Sequence, residues 1–318
     1  MSPREIVGLI AGNRCLPLMA ARAVKRRGGE LVVAGLSGET DGEIYNLADE
    51  SIEAPLGALG AMVDFFLDKG CAILALAGGI SREGLISRYQ PDEEAIKVME
   101  SVESFQTDTI LRALAAYLEG RGLKLVSVAE LAPELLVSPG VLTKKAPEGE
   151  LLEDLKMAFF LAKELGRLDC GQTVVVSDKI AVALEGADGT DATIRRGAAL
   201  CRKPVAVAKV VKPTQDFRLD LPVIGPETIE SLAGVKAGAL ALDAGGLIML
   251  EPEKCLAMAE EAGLSIVAWL GSPPDRGAWP AGNLPRPTPY EGDKPRPPEK
   301  RRREEDSKDA PKPPDNKA

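Results

Sequence analysis

Residues 5–35 read EIVGLIAGNRCLPLMAARAVKRRGGELVVAG, and the order of patterns in this stretch decides the fold. An apolar run at 5–10 leads through a glycine-containing turn into an amphipathic segment at 16–27, and a second apolar run rich in valine occupies 30–35. Strand, helix and strand in that order make a parallel crossover unit. Working outward, the same alternation predicts a helix over 56–69, a buried strand at 71–77, two helical turns around 93–102, a helix over 107–121 and a strand at 124–127. Residues 1–131 are therefore expected to form an N-terminal Rossmann-like parallel α/β domain.

Residues 132–150, APELLVSPGVLTKKAPEGE, mix proline, glycine and charge without a helical period, which marks a linker. A second, mixed α/β domain is expected over 151–271. Its predicted helices lie at 151–166, 191–201, 227–235 and 253–262, and its strands at 173–177, 180–185, 205–211, 217–221, 239–242, 246–250 and 264–269. Past Gly271 the composition turns to proline and charge, as in EKRRREEDSKD, so 272–318 is expected to be a disordered tail.

Composition removes several function classes. The 318 residues carry 39 lysines and arginines against 48 acids, a net charge of −9, which argues against a general nucleic-acid binder. There is no histidine, so the commonest general base and zinc ligand are both missing. Chemistry must run through carboxylates, cations, hydroxyls, thiols or a bound metal. Five cysteines show no paired CxxC spacing and read as reduced thiols of a cytoplasmic protein. The N-terminal apolar residues are interrupted before a secretory segment develops, and the other apolar runs fall short of the ~20 residues that span a membrane. Membrane contact is expected to be peripheral.

The chemistry concentrates in residues 185–225, where EGADGTDATIRR, VAVAKVVKP and TQDFRLDLPVIG follow one another. Carboxylates, cations and a helix start together suit a metal ion held against a phosphate ester. Thr190 or Asp191 as a helix cap accounts for part of the acidic turn. Capping leaves Glu185 and Asp188 unexplained beside Arg195 and Arg196, which makes the cluster a candidate metal or phosphate site. Lys209 and Lys212 flank a β-branched run, either as phosphate cations or as protective lysines of an edge strand. Asp220, between Leu219 and Leu221 and before Pro222, is expected to be partly buried and in need of a cationic partner. It is the first candidate for metal ligation or for activating water. In the first domain, Gly8 and Gly12 do not fit GxGxxG, but a glycine turn at the end of a first strand can meet an anion. Arg82, in GGISRE at 78–83, ends another strand on the same edge.

The runs GLIAGNRCLP, GRLDCGQTVVV, EGADGTDATIRR and AKVVKPTQDFRLDLPVIGPETI together resemble the LpxI-type UDP-2,3-diacylglucosamine pyrophosphatases of lipid A biosynthesis. The resemblance implies a Mg2+-dependent hydrolase that splits UDP-2,3-diacylglucosamine into UMP and 2,3-diacylglucosamine 1-phosphate. It implies a lipid substrate held between two α/β domains and an essential aspartate at Asp220. Asp188 and Asp191 would join Asp220 as metal ligands. Gly12, Asn13, Arg82, Gln172, Thr190, Arg195, Arg196, Lys209 and Lys212 would bind substrate. The expected partners are the lipid-linked nucleotide sugar, the inner face of the inner membrane and a second copy of the chain as a homodimer. The alternatives are a non-catalytic nucleotide-sugar or lipid-binding module and a nicotinamide-dependent oxidoreductase, the latter disfavoured by the missing fingerprint.

Overall fold

The computed structural model describes residues 5–104, 107–213 and 215–271; the tail predicted over 272–318 lies outside the described residues. The first half holds β1 (Ile6–Ala11), α1 (Leu16–Arg26), β2 (Glu30–Leu36), β3 (Glu50–Ala54), α2 (Leu59–Asp68), β4 (Ile73–Ala77), α3 (Arg82–Ser87), α4 (Glu93–Glu100), α5 (Thr107–Gly120), β5 (Lys124–Leu125) and α6 (Val128–Leu131). Its five strands form one parallel sheet in the order β3-β2-β1-β4-β5. Period-two alternation sorts the side chains of the central strands. Val7, Leu9, Leu31 and Val33 face α1, while Ile10, Val32, Ala34 and Leu36 join Met62, Val63 and Phe66 of α2. Strand order reverses between β1 and β4, where a sheet of this kind opens a crevice at its carboxyl edge.

The second half holds β6 (Gly140–Val141), α7 (Gly149–Arg167), β7 (Thr173–Ser177), β8 (Ile180–Leu184), α8 (Thr190–Ala199), β9 (Ala206–Lys209), β10 (Val223–Ile224), α9 (Pro226–Gly234), β11 (Ala239–Asp243), β12 (Ile248–Met249), α10 (Pro252–Glu261) and β13 (Ser265–Trp269). Six of these strands form a mixed sheet in the order β6-β13-β11-β9-β7-β8. One face packs on α7 through Leu155, Ala158, Phe159 and Ala162, and the other is covered by α8, α9 and α10. Residues 132–150, read from sequence as a linker, contribute the antiparallel edge strand β6 and a bridge from Leu136 to Ile248.

β10 and β12 form a separate parallel pair. Alternation again decides where their side chains go. Ile248 joins the core of the first half with Leu250, Val126, Val128, Ala132 and Leu135, and Val223 packs against it; Ile224 and Met249 belong to the core of the second. A two-residue ladder thus inserts apolar side chains into both cores.

The strand predicted at 217–221 does not form. Asp216 accepts the Arg218 amide at 3.0 Å and grips its guanidinium, and the carbonyl of Asp216 receives the amides of Leu219 and Asp220. The alternating apolar residues are wound into a turn, and pairing starts only after Pro222, which has no amide to give. Ile248→Ala should therefore cost about 2 to 5 kcal/mol. Urea denaturation followed by circular dichroism and by tryptophan fluorescence should show one coincident transition in both proteins, because the ladder that carries Ile248 inserts side chains into both cores.

Candidate functional site

The first wall of the site is made by the loops leaving β1 and β4. The Gly12 amide donates to Ala77 O and the Asn13 amide to Gly79 O, each at 2.8 Å. A Cβ on Gly12 would come within 2.2 Å of Gly79 O, so the loops approach this closely only because Gly12 has no side chain. Glu39, which the sequence reading passed over, ties them together. Its side chain is 2% exposed and accepts from Asn13 Nδ2 at 2.7 Å, Ser81 N at 2.9 Å, Ser81 Oγ at 2.6 Å and Arg88 at 2.6 Å. Burial works to raise its pKa, but the donors from Ser81, Asn13 and Arg88 outweigh it and hold the carboxyl at about 2. Arg82 is exposed at the start of α3 and does not line the cavity described below.

In the second half a polar cluster gathers where β7, β8, β9 and α8 meet. Glu185 is buried; Thr190 Oγ1 donates to its Oε1 at 2.8 Å and the Gln172 amide to its Oε2 at 3.0 Å. Lys209, 8% exposed, lies opposite Thr173 in the sheet and donates through Nζ to Val223 O at 2.9 Å. Burial pushes its ammonium below the ordinary lysine value, and the charges of Glu185, Asp191 and Asp220 oppose that shift. Of the two readings left open for Lys209, phosphate cation or edge-strand lysine, the second does not hold, because β9 is an interior strand and Lys209 is buried. Two buried oxygens, Asp191 Oδ1 and Gln172 Oε1, have no hydrogen-bond partner.

The helix cap anticipated at Thr190 or Asp191 is absent: Gly189, with φ 79°, takes the cap position, and α8 starts at Thr190. Asp188 turns to Arg196, at 2.9 Å, and the Gly186 amide, at 3.1 Å, and these hold its carboxyl below the usual aspartate value. Arg195 is exposed, and Lys212 pairs with Asp169 at 3.0 Å. None of these four residues lines the cavity.

Between the two halves lies a cavity of about 550 Å³, lined on one side by Arg14, Leu76 and Gly79 and on the other by Leu219, Asp220 and Glu227. Asp220 is exposed on this wall instead of partly buried, because the turn that replaces the expected strand pushes it outward. Gln215 Nε2 donates to its Oδ2 at 2.9 Å. Among the described residues, ion pairs cross between the halves from Arg14 to Glu227 at 3.0 Å and from Arg218 to Glu119 at 2.6 Å. A second cavity of about 600 Å³ adjoins the first through Phe217, Arg218 and Leu221.

Among the described residues no three acidic or thiol groups converge as a ready metal cage. A magnesium ion does not need one, since it commonly uses one or two carboxylates, waters and substrate phosphates. The unpaired oxygens of Asp191 and Gln172 are hard donors of the right kind, although neither residue lines the cavity that Asp220 lines. Asp191, Gln172 and Asp220 offer oxygen donors of the type such an ion takes, whereas Asp188 is committed to Arg196.

Comparison with known proteins places this geometry in a lineage. The sequence model of the LpxI N-terminal domain matches residues 6–135, and that of the LpxI C-terminal domain matches 138–267. The UDP-2,3-diacylglucosamine pyrophosphatase LpxI of Caulobacter vibrioides is 32% identical over 274 residues, covering 82% of this chain and 96% of that protein. Solved structures align far more loosely. The biotin carboxylase subunit of pyruvate carboxylase matches at 16% identity over 57% of this chain and 35% of its own, with a TM-score of 0.25. Phosphoribosylglycinamide synthetase from Anaerococcus prevotii matches at 12% identity over 64% and 45%, also at 0.25. The chain spans less than half of either structure, and neither informs its chemistry.

The Glu39 cluster predicts an acid response. Because its folded pKa lies below the ordinary glutamate value, its contribution is fully present above that value and is lost as pH falls towards about 2. Glu39→Gln should lose about 2 kcal/mol at pH 7. The deficit relative to the parent should shrink when urea denaturation is repeated at pH 3.

Proposed function

This chain belongs to the LpxI family, and on that premise we propose that it hydrolyses the diphosphate of UDP-2,3-diacylglucosamine to UMP and 2,3-diacylglucosamine 1-phosphate. The observation that carries the reading is the position of Asp220: an exposed carboxylate, oriented by Gln215, on the wall of a cavity between the halves. The same cavity is lined by the cations Arg14, Arg218 and Lys254 and by apolar Leu16, Leu76, Phe217, Leu219 and Leu221.

A diphosphate resists water because its charged oxygens repel a nucleophile. Cations on the cavity wall offset the negative charge of the diphosphate as it binds. Gln215 holds Oδ2 of Asp220, leaving Oδ1 to accept the proton of a water that attacks phosphorus as the bridging P–O bond breaks. Magnesium, held by Asp191 and Asp220 with the Gln172 side-chain oxygen, would neutralise phosphate oxygens when bound. Lys209, which is buried, is acted on by the charges of Glu185, Asp191 and Asp220. Apolar lining accepts the acyl groups, so the enzyme meets its substrate at a membrane face. None of the described helices is long and apolar enough to cross a membrane.

Incubating the purified protein with UDP-2,3-diacylglucosamine should release UMP; binding without UMP would favour the non-catalytic module. Asp220→Ala should lower kcat by roughly 10²- to 10⁴-fold with Tm retained, since the side chain is exposed. Turnover within a few-fold of the parent would remove Asp220 from the mechanism. Excess chelator should abolish turnover and added magnesium restore it, and undiminished activity in chelator would refute the metal assignment.

A further inference from the structure

Six residues other than glycine have positive φ among the described residues: Arg14, Asp169, Asp178, Lys179, Lys236 and Glu251. Four have an ordinary backbone reason. Asp178 and Lys179, at 52° and 60°, form the two-residue turn between β7 and β8, where both central residues of a type I′ turn take this conformation. Asp169 and Lys236 follow the last residues of α7 and α9, the usual place for a left-handed residue that ends a helix.

Arg14 and Glu251 have no such reason. They precede helices, α1 and α10, and both line the cavity between the halves, from opposite sides. Arg14 sits just past the glycine crossing of the β1 and β4 loops, at the point where strand order reverses. The left-handed backbone disfavours arginine, so the position is held by its surroundings. Its guanidinium reaches across to Glu227 at 3.0 Å, yet both side chains are about two thirds exposed, at 68% and 69%. An ion pair so open to water contributes little to holding the halves together. It leaves a planar, five-donor cation facing the space that Asp220 also faces.

We propose that Arg14 is a phosphate-recognition residue supplied by the first half of the chain, and that Glu227 is a placeholder which yields the guanidinium to a phosphate oxygen of the bound diphosphate. The inference rests on the diphosphate hydrolase reading, to which it adds a specific contact from the opposite wall. No bond is made or broken: one charge-assisted hydrogen-bond partner replaces another.

Three variants and two measurements decide it. Arg14→Gly suits the backbone and removes the side chain with its guanidinium. It should keep Tm within about 2 °C of the parent, raise KM roughly 10- to 100-fold and lower kcat by less than about threefold. Arg14→Lys, which keeps the charge and loses the fork, should recover part of that KM. Glu227→Gln frees the guanidinium and should lower KM by up to about fivefold. Inorganic pyrophosphate, titrated calorimetrically, should weaken with Arg14→Gly and tighten with Glu227→Gln. That measurement needs no turnover, so it stands even if the parent fails to release UMP, a failure that would count against the hydrolase reading alone. Unchanged KM and unchanged pyrophosphate affinity in Arg14→Gly would overturn the proposal. Should that variant not fold, pyrophosphate binding that is unchanged or weaker in Glu227→Gln would overturn it equally.

Discussion

Taking an ammonium group out of water is costly, and the second half of this protein is organised around one that carbonyl and carboxylate groups surround. Lys209 donates to the carbonyl of Val223, which fixes the start of β10 against β9. The charges of Glu185 and Asp191 in the acidic turn and of Asp220 in a later loop oppose the cost of burying it. Glu185 in turn accepts from Thr190 and from the Gln172 amide, so the start of α8 and the entry to β7 are set by the same group. The acidic turn, the strand pair shared by the cores and the loop bearing Asp220 are thereby held in one electrostatic neighbourhood.

The two sides of the cavity are built by different physics. On the first side, close backbone approach at Gly12 and the buried carboxylate of Glu39 lock two loops together, and the rigid result leaves Arg14 facing outward. On the second, the loop at 215–221 is shaped by the fork of Arg218 on Asp216 and extends the same guanidinium to Glu119 of α5. A histidine-free site is consistent with both: charge is placed by salt links and amides, and no imidazole tautomer has to be maintained.

Much of the architecture was legible because period and punctuation agreed. In residues 5–35 the apolar runs, Pro17 and the paired glycines all point to strand, helix and strand, and the sheet forms there with buried alternate faces. The run at 217–221 misled because Phe217, Leu219 and Leu221 alternate as a strand would, while the interaction that overrides them, a carboxylate gripping the guanidinium two residues on, is invisible to periodicity. Asp220 was found for its composition and neighbours, but its exposure follows from that unforeseen turn. Glu39 and Arg14 left no local signal. Each matters because β1 lies beside β4 in space, and strand order cannot be counted along the chain. The edge-strand alternative for Lys209 stayed open because the sequence does not say which strand is interior.

The β10 and β12 ladder gives the two halves a common fate. A fragment ending near residue 135 would leave Val126, Val128 and Ala132 without Ile248 and Leu250 above them, presenting a greasy socket to water. Inheritance can shuffle modules that close their own surfaces, but neither half here does so. Separating the wall that bears Asp220 from the wall it faces would strand apolar surface on both pieces.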